Sequence, residues 1–129
     1  MVTVDLDSPV PLVEQIHTEI RHGIAAGELL PGDALPTVRQ LADDLGINLN
    51  TVARAYRLLE GDGLVTSIRG RGSVVRSARE APAIAERSLQ NRIGRSIRGL
   101  ISDARLAGLE RVELERLFIE QARALWPEE

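Results

Sequence analysis

The sequence predicts a mostly α-helical protein that contains one small β-hairpin and ends in a pair of helices. Apolar residues recur at helical spacing over most of the chain between Pro11 and Leu59. Residues 64–75 then alternate and turn at two glycines, as a hairpin does. A polar stretch with a proline follows, and a second long helical pattern begins beyond it. We therefore expect a first domain over residues 1–76, a linker over 77–83 and a two-helix region over 84–129.

The first two helices are predicted from apolar periodicity and from capping residues. A helix over Pro11–Ala26 is indicated by the spacing of its apolar side chains, which are Leu12, Val13, Ile16, Ile20 and Ile24. A connector follows in which Pro-Gly marks a tight turn. Thr37 and Gln40 then form the capping box T-x-x-Q, which begins a short helix that ends at Gly46.

The stretch IRGRGSVV, residues 68–75, allows two interpretations. A glycine loop that cradles a nucleotide phosphate has the pattern G-x-G-x-x-G between a strand and a helix. Here Val75 stands where the third glycine is required, and β-branched residues are present instead of a helix. Gly70 and Gly72 therefore suit the turn of a β-hairpin, where a positive φ is needed.

The region after the linker is predicted to form two helices that need a packing partner. The first pattern covers residues 84–107 and the second covers 109–125, with Gly108 between them. Apolar residues of the first pattern have the four-three-four spacing of a coiled-coil seam, and two internal glycines weaken it as an isolated helix. We expect a homodimer in which two copies cover each other's apolar stripes. The residues expected at this interface are Leu89, Ile93, Ile97, Leu100, Leu117 and Phe118.

The composition excludes several classes of protein. Aromatic residues make up 2% of the 129 residues, so there is no aromatic platform for single-stranded nucleic acid or sugars. The chain has no cysteine, and therefore no disulfide framework and no thiolate metal site. The N-terminus lacks the plan of a signal peptide, and no apolar run approaches the roughly 20 residues that span a bilayer. We expect a soluble, cytoplasmic protein without a membrane partner.

No other residue pattern indicates a catalytic or metal site. His17 and His22 lie five residues apart, so they do not share a helix face, and their ordinary interpretation is that of solvated or capping side chains. Paired acids such as Asp43-Asp44 are routine on helices. The arrangements Ser-His-Asp, Cys-His, G-x-x-x-x-G-K and H-E-x-x-H are all missing. We therefore expect neither an enzyme nor a cofactor nor a metal.

The distribution of charge is more informative than the net charge of −3. All 16 basic residues are arginine, a usage that a high-GC genome would also produce. Between residues 36 and 79, however, seven arginines stand against four acids. Because arginine makes bidentate contacts with phosphate and guanine, this local excess favours a nucleic-acid-binding surface.

The segment from Ala42 to Leu59 has the pattern of a helix-turn-helix. Ala42 is a small residue at the point where two helices cross. Gly46 is a flexible residue at the point where the chain turns. Asn50 is predicted to cap the second helix, whose inward residues are Val52, Ala55, Tyr56 and Leu59. The opposite face presents Asn50, Thr51, Ala53, Arg54 and Arg57. That face is polar and basic and carries no acid, so it suits the major groove of DNA.

Together these motifs resemble the DNA-binding domain of the GntR family of bacterial transcription regulators. The resemblance covers about residues 10–76. Its matching stretches are Ile24-x-x-Gly27-x-Leu29-x-Pro31-Gly32-Asp33-x-Leu35-Pro36, Val38-Arg39-x-Leu41-Ala42, Asn48-x-Asn50-Thr51-Val52-x-Arg54-Ala55-Tyr56-x-x-Leu59-Glu60-x-x-Gly63 and Gly70-Arg71-Gly72. Thr37 stands where the family usually has serine and keeps the hydroxyl cap. The resemblance implies a winged helix-turn-helix that binds double-stranded operator DNA as a homodimer.

The resemblance also implies which residues contact DNA. They are Arg39 in the first helix of the motif, Asn50, Thr51 and Arg54 in the recognition helix, and Arg69, Gly70 and Arg71 at the tip of the wing. Arg57 joins them because it lies on the same basic face. Ala53 stands where some members of the family have a base-reading arginine, so the resemblance leaves the operator sequence open.

The length of the C-terminal part is similar to that of the short YtrA-like subfamily. Only about fifty residues follow the hairpin, too few for the large effector domains of other members. The resemblance implies that these helices dimerise. It also implies that the protein represses a neighbouring transporter operon and its own gene. While it is bound to DNA, the protein would be associated with the nucleoid.

Other functions stay open from the residues alone. The winged domain can be a protein-interaction module without specific DNA binding. A small-molecule effector between the C-terminal helices is also open, although no convergent polar set marks a pocket. In one branch of the family an aminotransferase domain that uses pyridoxal phosphate follows this DNA-binding domain. This chain is too short for it and has no lysine to form its Schiff base.

Overall fold

The computed structural model describes residues 2–76 and 86–127, with side chains in the second range from residue 89 onward. The chain divides into two compact units, Met1–Ala81 and Pro82–Glu129. The linker predicted over 77–83 lies outside the described residues. In the described ranges no helix is both long enough and apolar enough to cross a bilayer.

The first unit contains three helices and a two-stranded antiparallel sheet. Its helices are α1 (Leu12–Ala25), α2 (Val38–Leu45) and α3 (Leu49–Gly61), and its strands are β1 (Val65–Ile68) and β2 (Gly72–Val75). The predicted helices and hairpin are therefore confirmed.

The capping of the helices follows the sequence with one correction. Thr37 and Gln40 form the predicted capping box, since each side chain accepts a hydrogen bond from the other residue's backbone N–H, at 3.0 and 2.9 Å. Asn50 does not cap α3, as the sequence analysis expected. Asn48 does, because its extended backbone (φ −64°, ψ 133°) aims its side-chain oxygen at the N–H of Asn50, 2.7 Å away.

The core of the first unit is formed where α1 and α2 pack against α3 and the hairpin closes one end. Its apolar side chains are Val2, Ile16, Ile20, Leu35, Leu41, Ala42, Val52, Ala55, Tyr56, Leu59, Val65, Val74 and Val75. The inward face predicted for α3 is thus the buried one. Each fully buried aliphatic side chain contributes about 1.5–3 kcal/mol of transfer free energy, which fixes the orientation of α3.

The segment before α1 is held to this core by a contact that the periodicity does not predict. Val2 is buried. The side-chain amide of Gln15 accepts a hydrogen bond from the N–H of Asp5 at 2.7 Å and donates to the carbonyl of Val10 at 2.8 Å. These bonds close the segment over the start of α1.

The second unit consists of α4 (Glu86–Leu106) and α5 (Arg111–Leu125). The second helix was predicted to begin at Leu109. It begins two residues later because Gly108 adopts φ 85° and the chain turns through Glu110, the extended N-cap residue. Among the described residues of this unit, no side chain is buried.

Candidate nucleic-acid interface

Helices α2 and α3 form a helix-turn-helix whose turn is built by one glycine. Gly46 ends α2 in the left-handed conformation at φ 66°, and its N–H and that of Ile47 donate to the carbonyls of Asp43 and Ala42. Ala42 is buried, as expected for a small residue at a helix crossing. A residue with a Cβ is strained at such a positive φ, so the turn depends on the glycine.

The outward face of α3 carries the residues that the sequence analysis predicted. Asn50, Arg54 and Arg57 are exposed, while Thr51 and Ala53 are half-buried. Because Asn48 provides the cap, the side-chain amide of Asn50 has no hydrogen-bond partner among the described residues. The first turn of α3 therefore presents this amide at the positive end of the helix dipole, an arrangement that favours phosphate or a base edge.

The arginines of this surface are exposed and unpaired within the described residues. Arg39 lies in the first turn of α2, Arg54 and Arg57 lie on α3, and Arg69 lies in the hairpin turn. None of the four forms an ion pair with a described acid. Their charges are therefore available to an external anion.

Two contacts fix α3 relative to the rest of the first unit. The hydroxyl of Tyr56 donates a hydrogen bond of 2.6 Å to the carbonyl of Pro36, just before α2. Burial of this side chain raises the pKa of Tyr56 from 10.0 to about 12. At the other end of α3, Nε2 of His17 lies 2.6 Å from a carboxylate oxygen of Asp62. The second contact was missed from the sequence, because 45 residues separate its two partners.

The hairpin is extended by an isolated β-bridge that the sequence analysis did not predict. Ala34 bridges Val74 on the outer side of β2. The N–H of Leu35 donates to the carbonyl of Ser73 at 2.8 Å, and the N–H of Gly32 donates to that of Val75 at 2.9 Å. The connector between α1 and α2 therefore covers one edge of the hairpin, and the other strand, β1, packs against α3.

The tip of the hairpin contains the three predicted wing residues. Arg69, Gly70 and Arg71 form the turn, with Gly70 at φ 85°, and all three are exposed. The guanidinium of Arg71 donates to the carbonyl of Gly32 at 3.0 Å. Strand β2 begins at Gly72, so the glycines shape a hairpin turn and not a nucleotide loop.

In the second unit the residues predicted for dimerisation lie on a largely exposed apolar surface. Leu89 is half-buried; Ile97 is 37%, Phe118 57% and Leu100 59% exposed. Ile93 and Leu117 are exposed as well, and so are Ile101 and Ile119, which the sequence analysis did not select. These side chains repeat at the spacing of a buried helix face, but they are largely exposed to solvent in the single chain.

A groove of about 380 Å³ runs between α4 and α5. Its lining is apolar except for Glu115, whose carboxylate is already 2.6 Å from Arg111. The residues that line it are Ile97, Leu100, Ile101, Leu114, Glu115, Phe118 and Ile119. It offers a small effector little polar recognition. Nor do the described residues contain a group of three acidic, histidine or cysteine side chains able to hold a metal.

Comparison with known proteins gives consistent matches. The family described as "Bacterial regulatory proteins, gntR family" matches residues 12–75. The HTH-type transcriptional repressor YtrA of Bacillus subtilis (strain 168) is 37% identical over 117 residues, 91% of this chain and 86% of the relative.

Two solved structures extend the likeness to the fold. A transcriptional antiterminator from Listeria monocytogenes EGD-e is similar with a TM-score of 0.82 and 25% identity, over 97% of this chain and 92% of the other. The DNA-binding domain of AraR in complex with operator ORX1 is similar with a TM-score of 0.52 and 29% identity, over 57% of this chain and 95% of the other. The winged helix-turn-helix implied by the resemblance is confirmed.

Proposed function

Because the chain belongs to the gntR family of bacterial regulatory proteins and is a YtrA-like DNA-binding regulator of transcription, we propose that it is a repressor that binds a pseudo-palindromic operator as a homodimer. The genes under its control are its own and those of a neighbouring transporter. The observation that carries this proposal is the exposed face of α3, which carries no acid and has two arginines and one amide without partners among the described residues. An enzymatic activity is not part of the proposal, since the family consists of regulators.

The recognition helix supplies the sequence-reading contacts of the proposal. Asn50, Thr51 and Arg54 lie in its first two turns, the part of a recognition helix that reaches base edges in the major groove. Arg57, one turn further along, and Arg39, at the start of α2, are placed to contact phosphates. Phosphate contacts set the register of the protein on the duplex, and base contacts set the sequence it prefers.

The wing adds a second contact to the same duplex. Arg69 and Gly70 lie at its exposed tip, and the lack of a side chain at Gly70 allows close approach to the backbone. Arg71 has further N–H groups beside the one bound to Gly32, so it can meet a phosphate without giving up that bond.

The proposed homodimer follows from the apolar surface of α4 and α5. A second copy would cover Leu100 and Phe118, which are each more than half exposed in the single chain. Two-fold symmetry then presents two recognition helices to half-sites one helical turn of DNA, or a multiple of it, apart. This is why a pseudo-palindrome is expected.

A gel-shift experiment with the DNA upstream of the protein's own gene tests the proposal. We expect a discrete complex whose affinity falls steeply with salt, since each phosphate contact contributes about −0.9 to the slope of log K against log salt. The variant Arg54→Ala should weaken specific binding by about 1–3 kcal/mol. Arg21→Ala, an exposed arginine on α1 outside the interface, is the matched control and should bind as the wild type does.

Two outcomes would contradict the proposal. If no fragment of the locus is bound at low salt, the protein is not a repressor of that locus. If bulk DNA is not bound either, the alternative of a protein-interaction module is favoured. An unchanged affinity of Arg54→Ala would remove that residue from the interface, and transcript levels in a deletion strain decide between repression and activation.

A further inference from the structure

The connector between α1 and α2 makes a tight turn beside the wing. The N–H of Asp33 donates to the carbonyl of Leu30 at 2.9 Å, and the N–H of Leu30 donates to the carboxylate of Asp33 at 2.8 Å. Gly32 lies inside this closed loop with φ 91°, a conformation that other residues rarely adopt. The carboxylate of Asp33 therefore fixes the position of the Gly32 peptide.

The same turn is fastened to the wing at three points. The N–H of Gly32 donates to the carbonyl of Val75, and the N–H of Val75 donates to the carbonyl of Asp33, both at 2.9 Å. The third point is the side chain of Arg71, which reaches back from the wing tip to the carbonyl of Gly32 at 3.0 Å. A two-stranded hairpin alone is marginally stable in water, so these bonds set where its tip points.

We propose that the Leu30–Asp33 turn is a positioning element of the DNA interface, in which Asp33 holds the carbonyl of Gly32 in place for Arg71 and Arg71 thereby fixes the wing in its DNA-binding position. The inference rests on the proposed DNA-binding function. Asp33 is a positioning residue because it acts through the Gly32 peptide, and it needs no contact with DNA.

The sign of one effect separates this role from simple electrostatics. Asp33 carries a negative charge in the turn beside the wing, so removing that charge should strengthen DNA binding if charge alone mattered. If its carboxylate instead holds the turn, Asp33→Ala weakens binding. Asp33→Asn removes the charge but keeps an acceptor oxygen for the N–H of Leu30, so it should bind as tightly as the wild type or more tightly.

The experiment measures the affinity of the full chain for a labelled duplex from upstream of its own gene, at a temperature where circular dichroism shows every variant folded. We expect Asp33→Ala to raise Kd about three- to tenfold and Arg71→Ala about tenfold, as loss of one or two modest hydrogen bonds would. Asp33→Asn should stay within about twofold of the wild type. The double variant Asp33→Ala/Arg71→Ala should bind like Arg71→Ala alone, since both changes break one connection.

A general loss of stability would not give this pattern, because its effects on binding would add in the double variant and would not be rescued by asparagine. The inference is overturned if Asp33→Ala binds as tightly as the wild type, if Asp33→Asn is as weak as Asp33→Ala, or if the two losses add. If the wild type itself binds no duplex, both the proposed function and the inference are refuted. If the wild type binds and the variants behave otherwise, only the inference fails.

Discussion

Replacing Tyr56 by phenylalanine should lower the free energy of unfolding at neutral pH and raise it, relative to the wild type, at strongly alkaline pH. The Tyr56 hydroxyl donates its 2.6 Å hydrogen bond to the carbonyl of Pro36 from a side chain that is 6% exposed. Phenylalanine fills the same space but leaves that carbonyl without its donor. We expect a cost of about 1 kcal/mol at neutral pH.

The alkaline part of the prediction follows from the pKa of the same side chain. Burial raises the pKa of Tyr56 from 10.0 to about 12, because the fold disfavours the charged phenolate. The stability linked to this proton is complete below pH 10 and is lost as the pH rises from 10 to 12. A shift of about two units corresponds to about 2.7 kcal/mol, and Tyr56→Phe has no such loss. The stability curves of the two proteins should therefore cross near pH ~11.

The composition allows the ionisation of Tyr56 to be measured without overlap from other side chains. Tyr56 is the single tyrosine, and the chain has neither cysteine nor lysine. Between about pH 9 and 12 no other side chain is expected to ionise, since arginine stays charged. Denaturant unfolding at a series of pH values gives the two curves, and the ultraviolet absorbance of tyrosinate gives the midpoint directly. A native midpoint near that of the unfolded chain, or two curves that stay parallel above pH ~10, would refute the reasoning.

Three further substitutions test the turn, the cap and the apolar surface. Gly46→Ala should lower the free energy of unfolding by about 1–2 kcal/mol in denaturant titration, because its φ is 66°. Gly61→Ala, without a positive φ and with no atom within 4 Å of an added Cβ, is its control and should be neutral or stabilising. Thr37→Ala should cost about 1 kcal/mol in the same assay through loss of the capping box. Phe118→Asp should shift the protein towards monomer in analytical ultracentrifugation, whereas Arg123→Asp, at another exposed position of α5, should not; equal behaviour would count against the proposed interface.

The sequence predicted those parts of the fold that depend on local patterns. Helical periodicity located α1, α3 and α4 because a buried face repeats every three or four residues. The capping box of α2 was found since its two residues lie three apart. The N-cap of α3 was assigned to the wrong asparagine, because Asn48 and Asn50 both suit a cap. The backbone conformation that decides between them depends on how the preceding turn packs.

The rest of the interface could not be predicted because it joins distant residues through single polar groups. The bond from Arg71 to Gly32 spans 39 residues, and the contact of His17 with Asp62 spans 45. Such bonds leave no period in the sequence. The bridge between the connector and β2 was missed for a similar reason, since it is made by backbone groups and the proline and glycine of the connector indicate only a turn.

The two units show why periodicity predicts a face but not what covers it. In α1 the periodic side chains Ile16 and Ile20 are 0% exposed, because α3 lies against them. In α4 an equally regular stripe leaves Leu100 59% exposed, because two helices alone cannot enclose each other's apolar sides. If a second copy covers that stripe, each dimer carries two recognition helices, and binding of the second half-site becomes intramolecular once the first is occupied. The affinity for an operator would then depend on the exposed apolar residues of α4 and α5 as much as on the arginines of α3, although none of them contacts DNA in the proposed complex.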